Sequence, residues 1–161
     1  MTLEKKMTDY RTERDSIGQV NVPRQKYWGA QTQRSLENFK IGSDKIPIFF
    51  IKAFAMQKKA AAISNIALEK LDNKLGQEIM KVCDEIMEGK LNDHFPLSVW
   101  QTGSGTQTNM NLNEVIANKG NQNLGKGLGE YFPIHPNDHC NMGQSSNCLL
   151  YTSDAADDDH C

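Results

Sequence analysis

The segment WQTGSGTQTNMNLNE, residues 100–114, constrains this chain more than any other. It begins with a loop of small residues, 102–106, and continues into a stretch where Leu112, Val115 and Ile116 recur at helical spacing. Small residues let backbone N–H groups approach a ligand closely, and the start of a helix favours negative charge. The segment therefore predicts an anion site at the N-terminus of a helix.

Three asparagines in the predicted helix support this interpretation: Asn109, Asn111 and Asn113. Asparagine is a weak helix former, because its amide competes for nearby backbone groups. Several residues in succession that disfavour the predicted helix are typical of a functional site. An ordinary capped loop without a ligand is an equally weighted alternative on local pattern alone.

Two familiar glycine motifs do not fit this loop. A phosphate-binding P-loop requires a lysine after its last glycine, whereas Gly105 is followed by Thr106. The dinucleotide fingerprint requires a third glycine where Thr108 stands. The pattern therefore favours a carboxylate or a small phosphate over a nucleotide.

The 161 residues suffice for one domain with its own core, and the net charge of −2 gives no basic excess for nucleic acid. The most apolar stretch, 46–56, is too short and too charged to span a bilayer. The N-terminus has neither the apolar core of a signal peptide nor the look of a transit peptide, so we expect a cytoplasmic protein without membrane contact. The four cysteines form no C-x-x-C pair, and we expect free thiols.

The pattern along the chain predicts a mainly helical domain preceded by short strands. We expect residues 1–10 to be frayed, and residues 11–23 to form a brief strand or hairpin. Good helix formers predict a long helix over 48–71, and a second helix over 74–88 with Gly89 as the residue after its cap. Four glycines then indicate an irregular connection: Gly120, Gly125, Gly127 and Gly129.

Two polar segments leave alternatives open. Arg34 could clamp a carboxylate, although an ordinary surface ion pair is the favoured interpretation. The segment HPNDHC, residues 135–140, contains metal-ligand types, but Pro136 and the absence of a recognised ligand spacing argue against a metal. We prefer a polar turn, with Pro136 starting a helix and several donors directed at an anion. The sequence predicts no metal and no cofactor.

Four motifs together resemble class II fumarate hydratases, in the fumarase/aspartase superfamily. They occur in order as WGAQTQRS (28–35), TGSGTQTNMN (102–111), HPNDH (135–139) and QSSN (144–147). The resemblance covers residues 11–147 and implies the N-terminal lyase domain of that fold, mainly α with short N-terminal strands and without the central helical bundle. It implies reversible hydration of fumarate to L-malate in the tricarboxylic acid cycle, by a homotetramer.

The resemblance also implies which residues bind the dicarboxylate. The substrate-binding set is Ser104, Gly105, Thr106, Ser145, Ser146 and Asn147. A second dicarboxylate site is implied at His135, Pro136, Asn137 and Asp138. Fumarases usually carry an arginine three residues before this histidine, where the present chain has Phe132.

The remainder of the family pattern is missing from the 161 residues. After Asn147 the family continues with an aspartate and a helix, whereas residues 148–161 contain four aspartates and match nothing expected. Without that tail the net charge would be +2. We interpret the tail as an artefactual junction.

The resemblance places the proton-abstracting serine and the water-activating histidine in the missing C-terminal part. No catalytic residue is therefore expected within this fragment, which should be inactive alone. One alternative is an aspartate ammonia-lyase-like enzyme, although such enzymes tend to have Gly-Gly-Ala-Gly-Thr where this chain has residues 102–106. Another is a non-catalytic fragment that binds only an anion or another subunit.

Apolar helix faces that the missing bundle would cover should be exposed in this fragment and cause aggregation. We expect these faces to carry residues such as Phe54 and Leu68.

Overall fold

The computed structural model describes residues 9–102 and 105–145. A two-stranded antiparallel hairpin comes first, with β1 spanning Tyr10–Asp15 and β2 spanning Gly18–Pro23, paired so that Asp15 lies opposite Gly18. The Asp15 carboxylate accepts the N–H of Gly18 at 3.1 Å, and Gly18 has a φ of +134° that favours glycine. The predicted hairpin is thereby confirmed, and it is the only sheet among the described residues.

Four α-helices follow: α1 Ala30–Asn38, α2 Ile48–Ala67, α3 Asn73–Met87 and α4 Thr106–Asn123. Helix α2 ends four residues before its predicted boundary, because Glu69 adopts a left-handed φ of +57°. Helix α3 agrees with its prediction to within one residue at each end. Asp72 caps α3 by accepting the N–H of Leu75 at 3.1 Å, and Gly89 follows with φ +84°.

Helix α4 is the centre of the domain. Thirteen of its residues are buried, and it packs against α1, α2, α3 and the turn near residue 136. Gly120 lies inside this helix, so the prediction that Gly120 belongs to the irregular connection was wrong. A Cβ atom on Gly120 would lie 2.7 Å from the Ile134 side chain, so glycine permits the following loop to pack closely on α4.

The hydrophobic core joins α3 and α4 to the inner face of α2. Its most buried members are less than 2% exposed and include Phe54, Ile79, Val82, Leu112 and Ile116. The expectation that Phe54 lies on an exposed face was therefore wrong, because this residue belongs to the inward face of α2. Leu68 is 63% exposed, as expected.

Shorter turns complete the domain, namely a 3₁₀ turn at Asn92–His94 and a single π-helical turn at Pro136–Cys140. The observed architecture is the expected one, a mainly α domain with short strands at its start. Among residues 9–102 and 105–145, no helix has the length and apolar character needed to cross a membrane.

Candidate functional site

Helix α4 begins directly after the glycine-rich loop, as the spacing predicts. Gly105 occupies the position before the helix with a left-handed φ of +67°, and its carbonyl accepts the N–H of Asn109 at 3.0 Å. A side chain at Gly105 would be strained in this conformation. Thr106 begins the helix with an exposed side chain, so it is not buried in an apolar core. Ser104 lies outside the described residues.

Asn141 connects this helix start to the segment that carries Ser145. The Asn141 side-chain oxygen accepts hydrogen bonds from the Asn109 amide at 3.0 Å and from the Lys58 ammonium at 2.9 Å. Its own amide donates to the Gln144 carbonyl at 3.3 Å. Ser145 follows immediately and is exposed. The structure thus links two segments that lie about thirty residues apart in the chain.

The other two members of the predicted substrate-binding set in this second segment, Ser146 and Asn147, lie outside the described residues. Gly105, Thr106 and Ser145 are therefore the members whose surroundings can be described.

Lys58 lies beneath this connection as a buried cation. It is 1% exposed, and burial lowers the pKa of its ammonium to about 8. Two thiols share its surroundings, and burial raises the pKa of Cys83 to about 12 and raises that of Cys140 as well. Both thiols are free, as predicted, and their burial disfavours the ionised form. The other two cysteines of that prediction, Cys148 and Cys161, lie outside the described residues.

The second predicted loop forms a self-capped turn. The Nδ1 atom of His135 accepts the N–H groups of Asn137 at 3.3 Å and Asp138 at 3.2 Å, and Pro136 is the first residue of the turn. Because Nδ1 accepts, the neutral ring carries its hydrogen on Nε2, where it can donate to an anion. The Asp138 carboxylate lies 3.3 Å from the same Nδ1 atom. That contact is weak, because the lone pair already serves the two N–H groups.

His139 stabilises this loop through a hydrogen bond to its backbone. Its Nδ1 atom accepts the His135 N–H at 2.8 Å, and burial lowers the pKa of its ring. No three histidine, cysteine, aspartate or glutamate side chains gather into a metal-binding geometry in the described part of the chain. The arrangement is that of a hydrogen-bonded turn.

A cleft of about 310 Å³ opens beside this turn. His135, Pro136 and Asn137 line one side of it, whereas the Asp138 side chain is 75% exposed and is not part of the lining. The rest of the lining comes from the hairpin, the start of α1 and the middle of α4, with Arg14, Gln31 and Glu114 among its residues. A cleft of this volume is large enough for a small ligand.

Arg14 is the cation of this cleft, and the sequence pattern did not single it out. Its side chain is exposed on β1 and lines the same cleft as His135. Phe132, which stands where fumarases usually carry an arginine, is 65% exposed, and the Lys126 ammonium lies 5.8 Å from its ring centroid. Arg14 meets the other lining residues only in the folded domain, so local spacing in the sequence does not identify it.

Two buried carboxylates also escaped the sequence interpretation. Glu114 of α4 accepts the N–H groups of Gly29 at 2.9 Å and Gln31 at 2.9 Å, at the start of α1. Glu13 of β1 accepts the N–H of Ala30 at 2.9 Å. The start of α1 has no capping side chain of its own, and these distant carboxylates satisfy its N–H groups instead.

Burial raises the pKa of Glu114, and its hydrogen bonds oppose that shift. Burial also raises the pKa of Tyr131, whose hydroxyl donates to Glu13 at 2.6 Å.

Arg34 forms the ordinary ion pair that was the favoured interpretation. Its guanidinium contacts both Asp15 oxygens, at 2.6 Å and 3.0 Å, and also donates to the Gly18 carbonyl at 3.0 Å. The guanidinium lowers the pKa of the Asp15 carboxyl. Arg34 thus fastens α1 to the hairpin, and the carboxylate that it clamps belongs to the protein.

Comparison with known proteins agrees with this architecture. A model of a lyase family matches residues 18–154. Relatives named class II fumarate hydratase include one from Brucella suis, 58% identical over 88% of this chain and 30% of its own length. Another, from Thermus thermophilus, is 57% identical over 90% of this chain and 31% of its own length.

Solved structures show the same likeness. A class II fumarase from Schistosoma mansoni superposes with a TM-score of 0.85 at 44% identity, covering 89% of this chain and 30% of that one. A fumarate lyase:delta crystallin from Brucella melitensis bound to cobalt gives 0.86 at 42% identity, covering 89% and 32%. This chain spans about 30% of the length of the relatives that it matches. With a family model that matches most of its residues, the chain belongs to this lyase family, and the relatives named here are class II fumarate hydratases.

Proposed function

We propose that this chain is the N-terminal part of a fumarate hydratase, which adds water reversibly to fumarate to give L-malate in the tricarboxylic acid cycle. The observation that carries the proposal is the junction at Asn141. There the start of α4, with Gly105 in its left-handed conformation, is linked to the segment leading to Ser145. The names of the relatives supply the substrate.

The helix start suits the charge that this reaction develops. In the malate-to-fumarate direction, a base removes a proton beside a carboxylate, and negative charge builds up on an enolate-like species. Fixed N–H and hydroxyl donors at a helix N-terminus stabilise such charge without reorganising. We assign the carboxylate-binding role to Ser104, Gly105, Thr106, Ser145, Ser146 and Asn147.

The cleft at the π-helical turn is proposed as the second dicarboxylate site. The turn contributes His135, Pro136 and Asn137, and Asp138 supports it through its N–H bond to His135. In this chain Arg14 supplies the cation, because Phe132 cannot. An arginine and an imidazole N–H that line the same cleft are both donors of the kind that bind a carboxylate.

The fragment alone is proposed to be inactive. By family resemblance, the proton-abstracting serine and the water-activating histidine lie in the other 70% of the protein. The intact enzyme is proposed to be a cytoplasmic homotetramer whose active sites combine several subunits. Losing general-base help alone typically lowers a rate by about 10² to 10⁴-fold.

Complementation tests the proposal directly. The purified 161-residue chain would be mixed with the part of the Brucella suis relative that lies beyond the match, and fumarate absorbance would be followed. We expect no turnover from either part alone and measurable hydration from the mixture. A Thr106→Val chain in the same mixture should lose most of that activity, whereas a Lys74→Arg chain, altered at an exposed position of α3, should retain it.

Two results would contradict the proposal. Turnover by the chain alone would show that its catalytic groups are already present. A mixture that converts L-aspartate but not L-malate to fumarate would assign the chain to an ammonia-lyase instead.

A further inference from the structure

Helix α2 directs two buried polar side chains towards the segment that precedes Ser145. Lys58 and Asn65 lie seven residues apart in the sequence, which places them two helical turns apart on one face of α2. The Lys58 ammonium donates to the Asn141 side-chain oxygen at 2.9 Å, and the Asn65 amide donates to the Met142 carbonyl at 3.0 Å. The inner face of α2 thus holds this segment at two consecutive residues.

The Lys58 ammonium determines which way the Asn141 amide points. An ammonium only donates hydrogen bonds, so it selects the oxygen end of the amide. The same oxygen also accepts the Asn109 amide of α4 at 3.0 Å. The nitrogen end then faces away from both donors, and it donates to the Gln144 carbonyl at 3.3 Å. A charge-assisted hydrogen bond is stronger than a neutral one, so the ammonium makes the stronger of the two contacts to this oxygen.

Gln144 closes the segment into a compact turn. Its backbone N–H donates to the Asn141 carbonyl at 3.1 Å, and its side-chain amide donates to the Cys140 carbonyl at 3.1 Å. Because these bonds lie within the turn, they set its shape and not its position in the domain. The bonds that the Asn141 oxygen accepts from Lys58 and Asn109 connect the turn to α2 and α4.

A buried ammonium at this position lowers the stability of the fold. Lys58 is 1% exposed, and burial lowers the pKa of its ammonium to about 8. Among the described residues no carboxylate pairs with it, and its hydrogen-bond acceptor is a neutral amide. A residue that lowers stability in the interior is typical of a functional site, where a local rule is broken for the sake of activity.

We propose that Lys58 is a positioning residue of the carboxylate-binding site. Through Asn141, its ammonium fixes the segment that leads to Ser145 relative to the start of α4, where Gly105 and Thr106 lie. This inference rests on the proposed function, which assigns these residues to the substrate. Precise placement matters there, because a displacement of about 1 Å can lower a catalytic rate by about 10²-fold.

Backbone dynamics of the full 161-residue chain test the placement without any measurement of activity. We expect Lys58→Met to lower the ¹⁵N order parameters of Met142 and Gln144 from about 0.85 to below about 0.6. Those of α3 should not change, because removing the buried charge does not disturb the apolar core. Lys59→Met is the matched control, since Lys59 precedes the next turn of the same helix and pairs with Asp84 instead, and it should leave the segment ordered.

Kinetics of the complemented mixture test the link to catalysis. We expect Lys58→Met to raise the KM for L-malate about tenfold, because displaced donors bind the substrate less well. A role confined to stability would change the amount of active protein, and thus the apparent kcat, without changing KM. Asn141→Ala should have the same effect on KM. The double variant should be no worse than either single variant, because Lys58 acts through Asn141.

Each outcome of these experiments decides one proposal. Order parameters that are the same in the Lys58→Met and parent chains would overturn the positioning role, as would an unchanged KM or additive effects in the double variant. A parent mixture that does not hydrate fumarate would instead contradict the proposed function. The order parameters would in that case still decide whether Lys58 places the segment.

Discussion

The hydroxyl of Thr32 donates a 2.6 Å hydrogen bond to the carboxylate of Glu114, eighty-two residues away in the chain. The same carboxylate accepts three backbone N–H groups at the start of α1. One buried side chain of the central helix thus caps another helix and places it against the candidate cleft. Helix positioning in this domain depends on that carboxylate.

Replacing Glu114 with glutamine should destabilise the fold. Glutamine keeps the shape but loses the charge, and its NH₂ group would face backbone donors. We expect the free energy of unfolding to fall by about 2 kcal/mol, the scale for charge-assisted hydrogen bonds in the interior. Urea denaturation measures this change. Glu37→Gln, on the exposed side of α1, is the control and should change little; equal stability of the two variants would refute the assigned role.

His94 should make stability depend on pH between about 4 and 6.5. Burial, aided by Lys26, lowers the pKa of its ring to about 4, and its Nδ1 atom accepts the Tyr27 N–H at 3.1 Å. The unfolded chain therefore binds more protons in this window. Stability is complete above pH 6.5 and falls as the pH decreases towards 4.

The expected loss is about 1 to 2 kcal/mol after allowance for partial solvent exposure. His94→Asn keeps an acceptor for the Tyr27 N–H and should reduce the dependence of stability on pH in this range. Thermal unfolding at a series of pH values provides the comparison. A variant with the same pH dependence as the parent chain would assign the effect to other groups.

Much of the fold follows from local signals, but the role of the asparagines does not. Helix periodicity and capping residues predict the hairpin, α2 and α3 to within a few residues, because those signals act over short distances. The sequence pattern interprets Asn109, Asn111 and Asn113 as a sign of a ligand site. In the structure, Asn111 donates to the His94 carbonyl at 3.1 Å, and Asn109 donates to the Asn141 side-chain oxygen at 3.0 Å. These two amides hold segments that are distant from them in sequence.

The same limit applies to the candidate sites. The glycine at position 105 and the histidine at 135 are visible as motifs, because each acts through its immediate neighbours. Arg14 and Lys58 reach the sites only through strand pairing and helix packing. A sequence pattern records neighbours along the chain, and it cannot show which distant side chain completes a cleft.

Arg14 should contribute to anion binding at the second cleft. We expect Arg14→Gln to weaken L-malate binding about tenfold, the effect of losing about 1.4 kcal/mol. The His135 ring resonances in an NMR titration would report the binding. Arg24→Gln is the control, because Arg24 is exposed at the other end of the hairpin and does not line this cleft. Equal weakening by both variants would indicate a general charge effect, not a site.

Lys58 should lower the free energy of unfolding at neutral pH, although its ammonium holds Asn141 in place. Its buried ammonium has one hydrogen-bond acceptor, at 2.9 Å, and no carboxylate partner among the described residues. Its pKa of about 8 lies below the ordinary value of 10.5, so the unfolded chain binds more protons between these two values. The destabilising contribution is therefore fully present below pH 8 and is relieved as the pH rises to 10.5.

We expect Lys58→Met to raise the free energy of unfolding by about 1 to 2 kcal/mol at pH 7, because the cost of burying the ammonium disappears and only one hydrogen bond is lost. The advantage over the parent chain should shrink between pH 8 and 10.5. Lys59→Met is the matched control: Lys59 is partly exposed and pairs with Asp84, so its loss should lower stability by about 0.5 kcal/mol without this pH trend. Urea denaturation at pH 7 and 10 distinguishes the cases. A Lys58→Met variant that is less stable at pH 7 would show that the ammonium stabilises the Asn141 junction by more than its burial costs.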